Sequence, residues 1–277
     1  MIYGVRSGEK GIRVVITGKG GVGKTTLVAL ISHLFAKEGK RVLAIDGDPQ
    51  QNLALALGIP KSKAEGIVTV SEQYGCSCEK TVDGDNGSPG GFFMLNQDDI
   101  DRISVPAGNN VRLLVMGGVK EIGGCLCPEY SLLSAILMHI NVLDDEVIIL
   151  DTPAGLEHFG RSIAEGFTCA VVVTDRSYNA ISVARKSAAL AHHLGIENVV
   201  LAINRANDET NNTNVCGREG GVAEFSQTIV IPFEPEISRI DPEVKPLVDN
   251  NSAFIKSVET LVAAISGRCE SWSPPVR

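Results

Sequence analysis

Residues 18–26 read GKGGVGKTT, and this stretch governs the interpretation of the rest of the chain. It contains the pattern G-x-x-x-x-G-K-[ST], formed by Gly18, Gly23, Lys24 and Thr25. A β-branched apolar run at 12–17 precedes it, and a segment with helical periodicity follows. Glycines allow backbone N–H groups to converge on phosphate oxygens, and a helix N-terminus adds partial positive charge. The stretch therefore predicts a phosphate-binding loop.

The loop also predicts individual nucleotide contacts. Lys24 is expected to reach the β- and γ-phosphates of ATP, and the hydroxyl of Thr25 to hold Mg²⁺. The other predicted nucleotide-binding residues of the loop are Gly18, Lys19, Gly20, Gly21, Val22, Gly23 and Thr26.

Short apolar runs alternate with helical segments along the chain. After 12–17, such runs lie at 41–46, 111–116, 146–151, 169–174 and 198–204. Nearly continuous apolar strands separated by helices, such as the one predicted at 180–194, are typical of a parallel sheet that is covered on both faces. The sequence predicts a doubly wound α/β fold with a mostly parallel sheet.

The composition favours one domain over the whole of 1–277. The chain is 44% hydrophobic and 21% charged, enough apolar material for one large core. Three stretches interrupt the alternation of strands and helices: a Gly-, Asp- and Ser-rich stretch at about 61–110, a polar one at about 206–221 and the tail 267–277. We interpret them as a mobile insert, a mobile excursion and a frayed end of one α/β layer.

Charge and hydropathy exclude several classes of protein. A net charge of −8 argues against a broad surface for nucleic acid or for an anionic membrane. No apolar run reaches the roughly 18 residues of a membrane span, and residues 1–10 lack a secretory apolar region, so we expect a cytoplasmic protein. Seven cysteines, an odd number, argue against a disulfide scaffold.

Three aspartates lie at predicted strand ends. Asp46 and Asp48 belong to DGDPQ, and Asp151 ends the strand VIILD and begins DTPAG. Ligands of open α/β sheets bind at the carboxyl ends of the strands, so these carboxylates should face the nucleotide. There an aspartate can orient the attacking water or hold Mg²⁺. For Asp46, capping of the following helix is an equally simple explanation.

The additional lysine at Lys19 gives the loop the form G-K-G-G-x-G-K-[ST]. This form resembles the deviant Walker A motif of the MinD, ParA and nitrogenase-iron-protein class. The resemblance implies a nucleotide-sandwich homodimer, in which Lys19 reaches the phosphates bound by the partner. It also implies that Lys19 and Lys24 both serve catalysis.

The same resemblance assigns roles to the polar strand ends. It implies that Asp48 orients the water, that Asp46 lies on the Mg²⁺ side, and that Asp151 supports Mg²⁺ as a catalytic Walker B aspartate. Asn204, followed by Arg205, matches the adenine-contacting asparagine of the class, and an amide can read the adenine edge with a donor and an acceptor. A simple strand-end turn is the other interpretation of Asn204.

Two C-x-C pairs occur, Cys76/Cys78 and Cys125/Cys127. One pair supplies two thiolates, whereas soft-metal sites commonly use four ligands. A symmetric dimer can supply the missing two, because residues near its axis approach their own copies. The dimer implied by Lys19 and a metal site at a C-x-C pair therefore support each other.

The segment GCLCPE around Cys125 and Cys127 carries a narrower resemblance. Together with the phosphate loop, DGDP and DTPAGLEHFGR, it resembles the CooC-type accessory ATPases of carbon monoxide dehydrogenase over about 12–265. The resemblance implies an ATP- and metal-promoted dimer that binds Ni²⁺ or Zn²⁺ between paired C-x-C motifs and delivers nickel to the dehydrogenase. Cys76 and Cys78 are outside that pattern and form either an accessory metal site or a pair of exposed loop cysteines.

Three alternatives stay open at this point. The same type of ATPase could mature acetyl-CoA synthase, or it could be a scaffold for iron–sulfur clusters. A ParA- or MinD-like positioning protein that binds DNA or membrane is the third, which the acidic charge and the C-x-C pairs disfavour.

Overall fold

The structure is a computed structural model of the 277-residue chain. It describes residues 11–74, 97–117, 132–134, 136, 137, 140, 142–155, 166–206 and 225–267. Within this part of the chain no helix has the length and apolarity needed to cross a bilayer.

Eight strands form one sheet. They are β1 (Ile12–Gly18), β2 (Arg41–Asp46), β3 (Val105–Pro106), β4 (Val111–Val115), β5 (Glu146–Asp151), β6 (Cys169–Thr174), β7 (Asn198–Ala206) and β8 (Gln227–Pro232). Their spatial order is β3-β4-β2-β5-β1-β6-β7-β8, and every pair is parallel except β3 with β4. The predicted doubly wound α/β fold is confirmed.

Helices connect the strands and cover the sheet. The described ones are α1 (Lys24–Lys37), α2 (Leu53–Ala56), α3 (Lys61–Ala64), α4 (Val70–Tyr74), α5 (Gln97–Ile103), α6 (Tyr178–His193), α7 (Ile237–Ile240) and α8 (Ala253–Ile265), with a 3-10 helix at Lys245–Asp249. Residues 132–134, 136 and 137 are also helical. Ser177 and Ser252 cap α6 and α8 by accepting backbone N–H groups.

Alternate residues of the central strand β1 pack into two separate hydrophobic cores, one on each face of the sheet. Val14 and Ile16 pack on one face with α1 and α8, whereas Val15 packs on the other face with α6 and the helical residues Leu133, Ile136 and Leu137. Because both faces are buried, the strands are apolar at nearly every position. The phosphate loop follows β1, so it lies in the middle of the sheet's carboxyl edge.

Two edge strands and several short helices were not predicted from the sequence. β3 has two residues, one of which is Pro106, and β8 begins with polar residues that stay partly exposed. β3 is too short to contain an apolar run, and β8 has only three consecutive apolar residues, 229–231. In 61–110, interpreted above as a mobile insert, the described part contains α3, α4, α5 and β3. Ala206 ends β7, and 207–221 and 268–277 lie outside the described residues.

Candidate nucleotide site

The phosphate loop joins β1 to α1 through backbone conformations that require glycine. Gly21 and Gly23 have φ angles of +78° and +97°. A Cβ at Gly23 would also lie 2.5 Å from Asn204 Nδ2, so no larger residue fits there. In the described part of the chain no side chain caps α1, which leaves its first N–H groups available to an anion.

Lys24, the first residue of α1, lies inside the loop. Its side chain is buried, and Nζ donates to the carbonyl oxygens of Gly18 and Lys19, each at 3.3 Å. Burial lowers the pKa of Lys24, and the nearby carboxylates of Asp151 and Asp48 oppose that shift. The ammonium group is therefore held by two neutral acceptors that an anionic phosphate can replace with a stronger charge-assisted contact.

Thr25 and Asp151 are brought together, as expected for two predicted Mg²⁺ residues. Thr25 Oγ1 donates to Asp151 Oδ2 at 2.7 Å. Asp151 Oδ1 is buried and accepts no hydrogen bond within the described part of the chain. Burial raises the pKa of Asp151 to about 7, although the bond from Thr25 and the charge of Lys24 act in the opposite direction. A hydroxyl beside a carboxylate with an unused oxygen suits the all-oxygen coordination that Mg²⁺ requires.

Asp46 lies beside Asp151 in the sheet register, but its oxygens have other partners. Oδ1 accepts the N–H of Asp48 and Oδ2 accepts the N–H of Leu53, each at 3.1 Å. Leu53 begins α2, so Asp46 satisfies a helix N-terminus from a distance, close to the capping alternative. Burial, and then the charge of Asp151, raise the pKa of Asp46 to about 8. These contacts favour a role in shaping the turn over direct metal contact.

Asp48 is half-buried at the start of the turn that follows β2. Its Oδ1 accepts the N–H of Gln50 at 2.9 Å, which orients the side chain. Its charge acts on both Lys24 and Asp151, so the carboxylate faces the same site as they do. This position agrees with the predicted contact to the attacking water, which stays a prediction.

Asn204 contacts the loop, a role that the sequence prediction missed. Its Nδ2 donates to the carbonyl oxygen of Val22 at 2.8 Å, and its Oδ1 accepts the N–H of Arg205 at 2.9 Å. The side chain is buried, and Arg205 has a φ of +56°. The amide therefore ties β7 to the phosphate loop, which leaves one N–H of Nδ2 for a base. The predicted adenine contact of Asn204 and Arg205 remains a prediction.

Lys19 is half-buried near Asp175, a residue that the sequence analysis did not single out. Asp175 follows β6, and its Oδ1 accepts the N–H of Ser177 at 2.8 Å. Hydrogen bonding to Ser177 lowers the pKa of Asp175, and the charges of Lys19 and Arg205 add to the shift. The carboxylate of Asp175 thus interacts with two cations, Lys19 and Arg205.

The predicted metal ligands lie outside the described residues; they are Cys125 and Cys127, and the accessory pair Cys76 and Cys78. Within the residues that are described, no three His, Cys, Asp or Glu side chains cluster as a metal site. Cys169 is buried in β6 as a core residue, and burial raises the pKa of its thiol to about 12.

A cavity of about 520 Å³ lies at the opposite edge of the sheet. Arg41, Val111 and Glu146, which line it, each begin a strand, whereas the phosphate loop lies at the strands' carboxyl ends. Arg41 is engaged in ion pairs with Asp145 and Glu146. The cavity is therefore separate from the chemistry described here.

Comparisons with known proteins agree with this geometry. The family described as CobQ/CobB/MinD/ParA nucleotide binding domain matches residues 13–266. The carbon monoxide dehydrogenase accessory protein CooC of Rhodospirillum rubrum is 32% identical over 93% of this chain and 97% of its own length. An uncharacterised ATP-binding protein of Methanocaldococcus jannaschii is 34% identical over 90% and 96%.

Solved structures support the fold. The cell division ATPase MinD of Pyrococcus furiosus superposes with a TM-score of 0.65 at 22% identity, over 94% of this chain and all of the other. The MinD protein of Aquifex aeolicus gives 0.62 at 23% identity, over 96% and 99%. At these identities the likeness concerns the architecture alone.

Proposed function

Because the chain belongs to the family of CobQ/CobB/MinD/ParA nucleotide-binding domains, and within it to the CooC-type ATPases, we propose that it is a metallochaperone ATPase. It hydrolyses ATP and supports insertion of nickel into an enzyme such as carbon monoxide dehydrogenase. The main support for ATP hydrolysis is the hydrogen bond between Thr25 and Asp151, which lies beside the buried Lys24. The similarity to the Rhodospirillum rubrum accessory protein supports carbon monoxide dehydrogenase as the enzyme that receives the nickel.

The residues of the site divide the work of hydrolysis. The N–H groups at the start of α1 and the ammonium of Lys24 bind the phosphates and offset charge that develops on them. Thr25 and Asp151 fit Mg²⁺, which when bound neutralises phosphate charge. Asp48 orients the attacking water, and its hydrogen bond from Gln50 fixes the direction of the carboxylate.

The cargo site belongs to a dimer in this proposal. Cys125 and Cys127 of each chain contribute two thiolates, and two chains supply four, a number that suits Zn²⁺ or Ni²⁺. Lys19 reaches the nucleotide bound by the partner. ATP binding and metal binding therefore favour the same closed dimer, and hydrolysis opens it, so each ligand strengthens binding of the other.

Equilibrium dialysis with Ni²⁺, combined with light scattering, tests the cargo site. We expect one metal per two chains and a metal-promoted dimer without nucleotide, with a thiolate charge-transfer band in the near ultraviolet. Binding should weaken as the pH falls towards about 6, because thiols must ionise to coordinate. Replacing Cys125 and Cys127 by alanine should abolish the band and the metal-promoted dimer while ATP still binds.

The matched control replaces Cys76 and Cys78 in the same way and should change neither property. If the control loses the metal and the Cys125/Cys127 variant keeps it, the assignment of the pair is wrong. Iron and acid-labile sulfide in the purified protein would favour a scaffold for iron–sulfur clusters instead.

A further inference from the structure

The turn that carries Asp48 is held at Gly47 by a backbone hydrogen bond. The N–H of Gly47 donates to the carbonyl oxygen of Asp151 at 3.0 Å, which joins the ends of β2 and β5. A Cβ at Gly47 would lie 3.0 Å from that oxygen, 3.4 Å from Leu150 Cδ1 and 3.8 Å from Leu133 Cδ2. The side chains of Leu150 and Leu133 therefore lie beside Gly47, where a side chain at that position would project.

Leu133 belongs to a helical segment that is buried against the sheet. Its side chain is 2% exposed, and Ile136 and Leu137 are each 1% exposed. All three pack in the core that contains Ile45, next to Asp46, and Leu150, next to Asp151. The segment therefore belongs to the same buried core as the residues that precede the two carboxylates.

Arg13 connects the other end of this segment to the strand that leads into the phosphate loop. Its guanidinium donates to the carbonyl oxygens of Leu137, at 2.7 Å, and of Ile140. Arg13 lies near the start of β1, and β1 ends at Gly18 of the loop. A displacement of the segment would consequently be felt at two places, the Gly47 turn and β1.

We propose that Leu133 is a positioning residue for ATP hydrolysis: its side chain, which lies beside Gly47 together with that of Leu150, fixes the position of Asp48 relative to Lys24 and Asp151. Asp48 directly follows Gly47, and its N–H donates to Asp46 Oδ1, so the turn moves as one unit. Truncation of Leu133 leaves space beside Gly47 into which this unit shifts, and small displacements of a group that orients water lower turnover strongly.

Steady-state ATP hydrolysis without added metal tests the positioning role. Leu133→Ala should lower kcat on the order of tenfold, with KM and the affinity for a non-hydrolysable ATP analogue unchanged, because Lys24 and the loop are intact. Leu137→Ala is the matched control: it truncates an equally buried leucine four residues along, and we expect kcat near that of the wild type. If the alanine variants fold poorly, Leu133→Val and Leu137→Val give the same comparison with smaller truncations.

Equal kcat in the Leu133 and Leu137 variants, or a fall in analogue affinity instead of kcat, would overturn the positioning role. The positioning role rests on the proposed ATP hydrolysis, so absence of hydrolysis in the wild type would overturn the proposed function, whereas equal kcat values in active variants would overturn the role of Leu133 alone.

Discussion

Thr25 Oγ1 lies 2.7 Å from Asp151 Oδ2, although the two residues are 126 positions apart in the chain. The bond links the first turn of α1 to the end of β5. It satisfies one oxygen of a carboxylate that is almost completely buried, while Oδ1 finds no donor in the described part of the chain. A buried carboxylate with an unused oxygen is costly unless a cation completes it, and this makes the pair the strongest sign of a magnesium-dependent site.

Replacing Thr25 by valine removes the hydroxyl but keeps the β-branched shape. We expect ATP turnover to fall about 10- to 100-fold, with a higher Mg²⁺ concentration for half-maximal activity, because an oxygen contact to the metal site is lost. Thr25→Ser keeps the hydroxyl and serves as the control. A Mg²⁺ titration of the ATPase rate checks both, and a valine variant that titrates like the wild type would remove Thr25 from the metal site.

Asp48→Asn keeps the size of the side chain and removes its charge. The ATPase rate should fall by more than about tenfold, because the carboxylate that orients water is lost. ATP binding should persist in this variant, in contrast to Lys24→Ala, which should weaken nucleotide binding itself. Turnover and analogue affinity measured side by side separate the two, and wild-type turnover in Asp48→Asn would exclude Asp48 from the mechanism.

The central part of the fold could be predicted from the sequence because its signals are local. The strands β2, β5 and β6 have the predicted bounds, since strands buried on both faces are apolar throughout. The edge strands β3 and β8 were not predicted, because their place in the sheet depends on pairing with other strands. Turn residues such as Gly21 and Gly23 follow directly from the loop pattern.

The roles of the polar residues were harder to predict, because they depend on packing between elements. The sequence places Asp46 and Asn204 at strand ends, but not the N–H of Leu53 that faces Asp46 or the carbonyl oxygen of Val22 that accepts from Asn204. The position of Leu133 against Gly47 has no local signal either: both residues look ordinary in the sequence, and only the tertiary structure brings them together.

Asn204→Ala separates loop support from base recognition. The variant leaves the Val22 carbonyl and the Arg205 N–H without their partner, which should cost about 1–3 kcal/mol of stability. If the amide acts by holding the loop, affinity for ATP and for GTP should fall by similar factors. If it reads adenine, only ATP affinity should fall. Calorimetric titrations with both nucleotides decide between these roles, and unchanged affinity for both would exclude each of them.

The buried carboxyls predict a pH-dependent stability for the nucleotide-free protein. In the folded state the pKa values of Asp46 and Asp151 are raised to about 8 and about 7, whereas in the unfolded chain both are near 3.8. Between these values the folded state binds more protons, so the free energy of unfolding contributed by the pair falls as the pH rises from about 4 to about 8. Thermal unfolding between pH 5 and 8 should show a falling Tm.

An Asp46→Asn, Asp151→Asn double variant supplies the control for this dependence, because neither side chain titrates. Its Tm should vary less over the same interval. Mg²⁺ with ATP should flatten the profile of the wild type, since a cation at Asp151 favours the ionised carboxylate. A wild-type Tm that is level or rises from pH 5 to 8, with the double variant following the same curve, would contradict the assignment.

Lys19 should be needed for dimerisation but not for folding. In a sandwich dimer, two bound nucleotides bring like-charged phosphates close together, and a lysine from each chain offsets their repulsion. With a non-hydrolysable ATP analogue the wild type should therefore shift towards a dimer in size exclusion with light scattering, and Lys19→Ala should stay monomeric.

Arg205→Ala is a useful control, because Arg205 is the other cation whose charge acts on Asp175. That control should still dimerise at saturating analogue, and the Lys19 variant should keep the wild-type Tm. A wild type that remains monomeric with saturating analogue, and also with Ni²⁺, would count against the dimer and against every role assigned to Lys19.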